Sequence, residues 1–179
     1  SLPYETALTG SATATLVSPK GYLLTVQHLV IGIQKHLNMP EKTLFPEGLL
    51  APHLEILTSS GVALGPVRLC YVDSKLDVAV LKTSPPEGIE PLRISKERPC
   101  LHDRVWHWCY PHRTFRSESE RNFLGYDNAH HDLRYSPGLV VAGSSGSEWF
   151  TDADATLGSS GSAVLNDAGE LVGIYRGGG

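Results

Sequence analysis

Residues 158–175 read GSSGSAVLNDAGELVGIY, and this stretch decides the fold. Two short β-prone runs, Ser162 to Leu165 and Glu170 to Tyr175, flank the turn Asn166-Asp-Ala-Gly169, which is the signature of a hairpin. Working outward, the same grammar recurs. Gly10 to Val17 and Tyr22 to Val26 flank Ser18-Pro-Lys-Gly21, and His53 to Thr58 and Gly65 to Val72 flank Ser59-Ser-Gly61. Val78 to Lys82, Arg104 to Cys109 and Gly138 to Ala142 complete the set. Only Leu29 to Leu50 departs from the pattern, with a short helix expected around Gly32 to Leu37 and limited by Pro40 and Pro46. Many short strands at turn-punctuated intervals predict an all-β sandwich or barrel. The polar run Ser95 to His102, with Pro99, is the candidate link between two lobes.

Composition bounds the reading without naming it. A chain of 179 residues, 41% apolar and 19% charged, suits one domain or two lobes sharing an interface, with a sizeable core. A formal charge of −4 gives no electrostatic reason to expect nucleic acid or an anionic membrane as partner. No apolar run approaches the roughly 18 residues of a membrane-spanning helix. The first ten residues, SLPYETALTG, show no visible signal peptide, although a mature chain would look the same. Cys70, Cys100 and Cys109 are too few for a disulfide scaffold, and no C-x-x-C pair suggests zinc.

Three local patterns carry chemistry. His28 ends the apolar run Leu24-Thr-Val-Gln-His28, where a packed or surface histidine is the ordinary reading. Asp77 stands at the mouth of the apolar strand Val78 to Leu81, either capping a turn or held to orient an imidazole. Ser160 lies between glycines whose tight backbone path pushes its hydroxyl out and turns main-chain N–H groups toward one point. The pentapeptide GSSGS occurs twice, making Ser145 a rival nucleophile. Its copy reads as a polar hairpin tip, so the flanking context favours Ser160.

In chain order these residues run His, Asp, Ser. With GSATATLVSPKGYLLTVQHLV, HLEILTSSG, VRLCYVDSKLDVAVLKT and TDADATLGSSGSAVLNDAGELVGIYRGG, the chain resembles a trypsin-like serine peptidase. It is nearest to the high-temperature-requirement (HtrA/Deg) and glutamyl-endopeptidase branches. The resemblance implies an all-β fold of two antiparallel six-stranded β-barrels, residues 1–95 carrying His28 and Asp77 and residues 96–179 carrying Ser160. It implies a serine endopeptidase with a His28-Asp77-Ser160 triad, an acyl-enzyme intermediate and an oxyanion hole of the Gly158 and Ser160 N–H groups. A protein or peptide is the expected substrate, and no metal or organic cofactor is required. Ser159 takes the place of the aspartate of zymogen-activated relatives, which argues against activation by an inserted N-terminus. The family's GNSGGP becomes GSSGSA, with Ser162 resembling the glutamyl branch. The chain stops at Gly179, short of the closing strand and helix of related domains, which leaves open a C-terminal truncation or a closing element that is absent or supplied by another segment.

Substrate preference is left open. Asp154, six residues before Ser160, corresponds to the pocket base that favours Lys or Arg, yet the glutamyl branch carries an aspartate nearby. Tyr175 occupies the position of histidine in many glutamyl peptidases. Arg176 stands where it would neutralise Asp154 or meet an acidic side chain, and the strand Gly173 to Gly178, Gly177 included, is placed to pair with extended substrate. The histidines His102, His107, His112, His130 and His131 lack metal-site spacing, and a surface-loop reading of the group is preferred to a metal site, with His107 in the alternating strand Val105-Trp-His-Trp108 and its neighbours in polar loops. Arg113 to Arg121 reads as a solvated loop. The non-enzyme alternative is a pseudo-peptidase that keeps the fold as a peptide-binding module. Relatives are mostly secreted or periplasmic, while the odd cysteine count leaves an intracellular setting open.

Overall fold

The computed structural model of the chain describes residues 12–58, 62–85, 87–109, 134–143, 147–153 and 160–177. Two antiparallel sheets account for its strands. The first comprises β1 (Thr15–Leu16), β2 (Tyr22–Thr25), β3 (Lys42–Leu50), β4 (Arg68–Asp73) and β5 (Val78–Lys82), in the order β1-β2-β5-β4-β3. The second comprises β6 (Arg104–Cys109), β7 (Arg134–Gly143), β8 (Trp149–Thr151), β9 (Ala163–Leu165) and β10 (Leu171–Ile174), in the order β10-β9-β6-β7-β8. A 3₁₀ turn (Gln27–Val30) and the short helix α1 (Ile31–His36) follow β2. Each sheet contributes five described strands to the two-barrel arrangement expected from the sequence.

Alternation explains why these segments pair as they do. In β2 and β5 every second residue is buried, placing Leu23, Thr25, Ala79 and Leu81 on the inner face. Leu23, Ala79 and Leu81 meet Leu69 and Val72 of β4 and Val30 from the 3₁₀ turn in the core of the first sheet. The β1–β2 turn closes as Ser18 O accepts the N–H of Gly21, at φ +93°. A side chain at Gly21 would fall 2.0 Å from Thr83 O.

Two segments differ from expectation. Lys42 to Leu50 forms β3, which the sequence pattern does not announce. Pro46 and Gly48 sit where its pairing with β4 shifts register between Leu44 and Leu49, so a bulge hides the alternation. His53 to Thr58 does alternate, yet it makes only an isolated bridge, Leu57 to Ala63. Its Leu54 and Ile56 still pack on the first core.

The second sheet curls. Trp149 of β8 lies over Gly173 of β10, where a Cβ would stand 2.7 Å from the indole. Its core is Val105, Val140 and Val164, with Trp149, Val172 and Tyr175 packed around them. A third cluster joins the sheets: Ala163, Leu165 and Leu171 meet Val17 and Leu24 of the first sheet and Leu92 of the connection. Residues 92–95 stitch the same seam, Leu92 N–H to Leu16 O at 2.9 Å and Ser95 N–H to Leu171 O at 2.8 Å.

The tightest point of that seam is Gly161. Its φ of +84° suits glycine, and a Cβ would lie 2.1 Å from Thr13 O and 2.5 Å from Thr25 Oγ1. Both obstacles are anchored, since Thr25 Oγ1 itself donates to Thr13 O at 3.0 Å. Gly161→Ala is therefore expected to destabilise the chain by about 2 kcal/mol or more, read as a lower urea midpoint at unchanged slope. A midpoint equal to that of the parent would contradict this packing.

Candidate active site

β2 ends at Thr25, and the chain turns at once into the 3₁₀ segment that holds His28 outside the core. Asp77 grips this histidine at two points: Oδ1 accepts the His28 backbone N–H at 2.9 Å and Oδ2 lies 2.8 Å from Nδ1. The His28 side chain is 47% exposed and that of Asp77 only 18%, so the imidazole is accessible and its orienting carboxylate is covered. In the tautomer in which Nδ1 donates to the carboxylate, Nε2 carries the lone pair.

Asp77 is held in place from behind. It has φ +55°, a left-handed conformation that Asp adopts more readily than most residues but that still needs support. That support is Asp73, whose side chain is 1% exposed. Asp73 Oδ1 accepts the backbone N–H groups of Lys75 and Leu76, and Oδ2 accepts from Tyr71 Oη and lies 3.3 Å from Lys42 Nζ. From the other side, Gln34 of α1 donates to Ser74 Oγ at 2.7 Å and to Pro40 O, and it accepts from Gln27 Nε2. Gln27 is the neighbour of His28 and Ser74 belongs to the loop of Asp77. Buried amides therefore tie the two halves of the dyad together.

Ser160 arrives from the other sheet. Its carbonyl accepts the Thr13 N–H at 2.8 Å, and Thr15 Oγ1 approaches Gly161 O at 3.5 Å, so the loop is bonded to the sheet that carries His28. Behind it, Gly161 N–H donates to Tyr175 O at 2.7 Å and Tyr175 N–H donates to Ser162 O at 2.9 Å. Gly177, at φ +128°, lies beside the hydroxyl, since a Cβ there would stand 4.0 Å from Ser160 Oγ. The Tyr175 ring turns into the second core and rests on His107, with centroids 4.7 Å apart. Arg176 pairs with Glu148 at 3.0 Å, both about half exposed. Among the described residues, the His28 ring bonds only Asp77 and does not reach Ser160 Oγ. Asp154, Gly158, Ser159 and the rival Ser145 lie outside the described residues, as do Arg113 to Arg121, His112, His130 and His131.

His107 lies in β6, as the alternating strand implied, but it is 1% exposed, so the surface reading of the histidine group does not hold for it. Gln27, Gln34, Ser74 and Thr13 also carry the site without having been singled out. Asp73 had a legible signal, an aspartate opening a turn four residues before Asp77. The glutamines had none, because nothing local distinguishes a buried amide from an exposed one.

Comparisons with known proteins bear on the family and the fold. Residues 12–174 match the family model of the trypsin-like peptidase domain. The chain belongs to the trypsin-like peptidase family. In fold it is similar to a serine endoprotease from Yersinia pestis, with a TM-score of 0.65 and 23% identity, over 96% of this chain and 50% of that one. The chain thus spans about half the length of that structure. A search of curated proteins finds no match. Among the described residues no helix is long and apolar enough to cross a membrane.

The support of the dyad has an acid limit. The Leu76 N–H foremost, with Lys42 and Tyr71, holds the Asp73 carboxyl below its usual range, against the opposing effect of burial. Its folded pKa is below the unfolded value of about 3.9, so unfolding takes up a proton in acid. The stabilisation is present above about pH 4 and is lost as pH falls through the depressed folded pKa. Asp73→Asn is expected to lower stability at neutral pH and to flatten its decline below about pH 4, measured by urea titration across that range. An unchanged acid slope would show that Asp73 does not contribute it.

Proposed function

We propose that the chain is a serine endopeptidase acting through His28, Asp77 and Ser160. The observation that carries this reading is the two-point grip of Asp77 on His28, on the same sheet to which the Ser160 loop is hydrogen-bonded. Residues 1–95 form the half that presents the imidazole, and residues 96–179 the half that presents the hydroxyl. Catalytic hydrogen bonds are often long before substrate binds, so the separate Ser160 and His28 are compatible with this role.

In the proposed reaction Ser160 Oγ attacks the scissile carbonyl while His28 Nε2 takes its proton, giving a tetrahedral oxyanion. Asp77 keeps the imidazole in the productive tautomer and stabilises its charged form. The Ser160 N–H makes no hydrogen bond among the described residues, which suits it to the oxyanion together with the N–H of Gly158. His28 then passes the proton to the leaving amine, and the acyl-serine is hydrolysed by water through the same steps. Asp154 and Arg176 are proposed to shape the specificity pocket, with Gly177 beside the acyl carbon and the Tyr175 backbone bracing its wall. The strand through Gly173 to Gly177 offers its edge to extended substrate backbone.

A fluorophosphonate probe tests the reading. Labelling is expected in the parent and in Ser145→Ala, and it should vanish in Ser160→Ala. Asp77→Asn should slow it by about 10³–10⁴-fold, because the imidazole then settles in the wrong tautomer. A parent that does not label would favour the peptide-binding alternative. Labelling that survives in Ser160→Ala would move the nucleophile elsewhere.

A further inference from the structure

The two faces of β6 are inverted relative to simple hydrophobicity. Val105 and His107 point inward and are enclosed, while Trp108 stands 40% exposed on the opposite face. An imidazole in a core is costly unless its nitrogens are bonded. His107 Nε2 is hydrogen-bonded to Ser162 Oγ, and Ser162 is itself completely buried. Strand register makes the pairing: His107 lies opposite Val164, two residues beyond Ser162.

The pair sits directly behind the nucleophile loop. Ser162 O accepts the Tyr175 N–H, Tyr175 O accepts the Gly161 N–H, and the Tyr175 ring rests on the His107 ring at an interplanar angle of 47°. His107 therefore touches both arms of the bracket that holds Gly161. On the far side Gly161 meets Thr13 O and Thr25 Oγ1, so the loop is caught between the two sheets. We propose that His107 is a positioning residue of the active site, setting the place of Ser160 Oγ through its bond to Ser162. It touches no reacting atom. Its leverage comes from geometry, because a displacement of about 1 Å between nucleophile and base can cost on the order of 100-fold in rate. The inference rests on the peptidase reading above.

The test compares fluorophosphonate inactivation of the full chain with that of three variants. His107→Leu leaves Ser162 Oγ buried without this partner, and the limiting inactivation rate is expected to fall by about tenfold or more, with half-saturating probe concentration within about twofold. His107→Gln offers an amide donor and acceptor at similar reach and should retain the rate within about threefold. His107→Leu combined with Ser162→Ala replaces both partners by apolar groups, which restores stability toward that of the parent. Its inactivation should stay slow. Recovery of the parent rate with recovered stability would reduce His107 to a core residue and overturn the proposal. So would a His107→Leu protein that folds and reacts like the parent. A parent that never labels removes the peptidase reading itself, and this inference with it.

Discussion

A carbonyl oxygen, that of Thr13, stands where any side chain on Gly161 would have to be. That contact is the constraint on which the site depends. It admits only glycine, it brings the second sheet's Ser160 loop against the end of the first sheet, and it is braced by the Thr25 hydroxyl three residues before His28. The hydrophobic seam of Ala163, Leu165 and Leu171 against Val17, Leu24 and Leu92 supplies the non-directional attraction between the sheets. The backbone bonds at Thr13, Leu16 and Leu171 supply the register. Burial alone would let the sheets slide; the hydrogen bonds do not.

Around this seam each half of the site is stiffened by buried polar groups rather than by its own loop. The dyad is held by Asp73 below and by the Gln27, Gln34 and Ser74 chain alongside. The Ser160 loop is held by His107, Ser162 and the Tyr175 backbone. In both cases the groups are withdrawn from water, where an unmade bond is expensive, so the arrangement is a single well-defined one. The His28 side chain, by contrast, remains 47% exposed.

Much of this was legible in the sequence where a local pattern maps onto a local structure. The apolar, β-prone runs Tyr22 to Val26 and Val78 to Lys82 and the alternating run Arg104 to Cys109 form β2, β5 and β6 with nearly the expected bounds. The hairpin of Ala163 to Leu165 with Leu171 to Ile174 follows from the turn Asn166 to Gly169, whose Asn166 Oδ1 accepts the N–H groups of Ala168 and Glu170. β3 was not legible because Pro46 and Gly48 mimic a loop and are absorbed by a bulge that only the partner strand β4 defines. His53 to Thr58 shows the reverse error, since alternation expresses a buried face and not a ladder partner.

By itself the sequence determined the order of the chemistry-bearing residues, the glycine-flanked serine, and the all-β class, all of which depend on neighbours in the chain. Tertiary structure alone decided that Asp77 grips both the backbone and the ring of His28 from 49 residues away. It alone decided that β6 turns Val105 and His107 inward and Trp108 outward. A two-residue period fixes which side chains share a face but not which face is the core, and that choice belongs to the strands on either side. His107 looked like a surface histidine because its reason for burial, the hydroxyl of Ser162, lies 55 residues away.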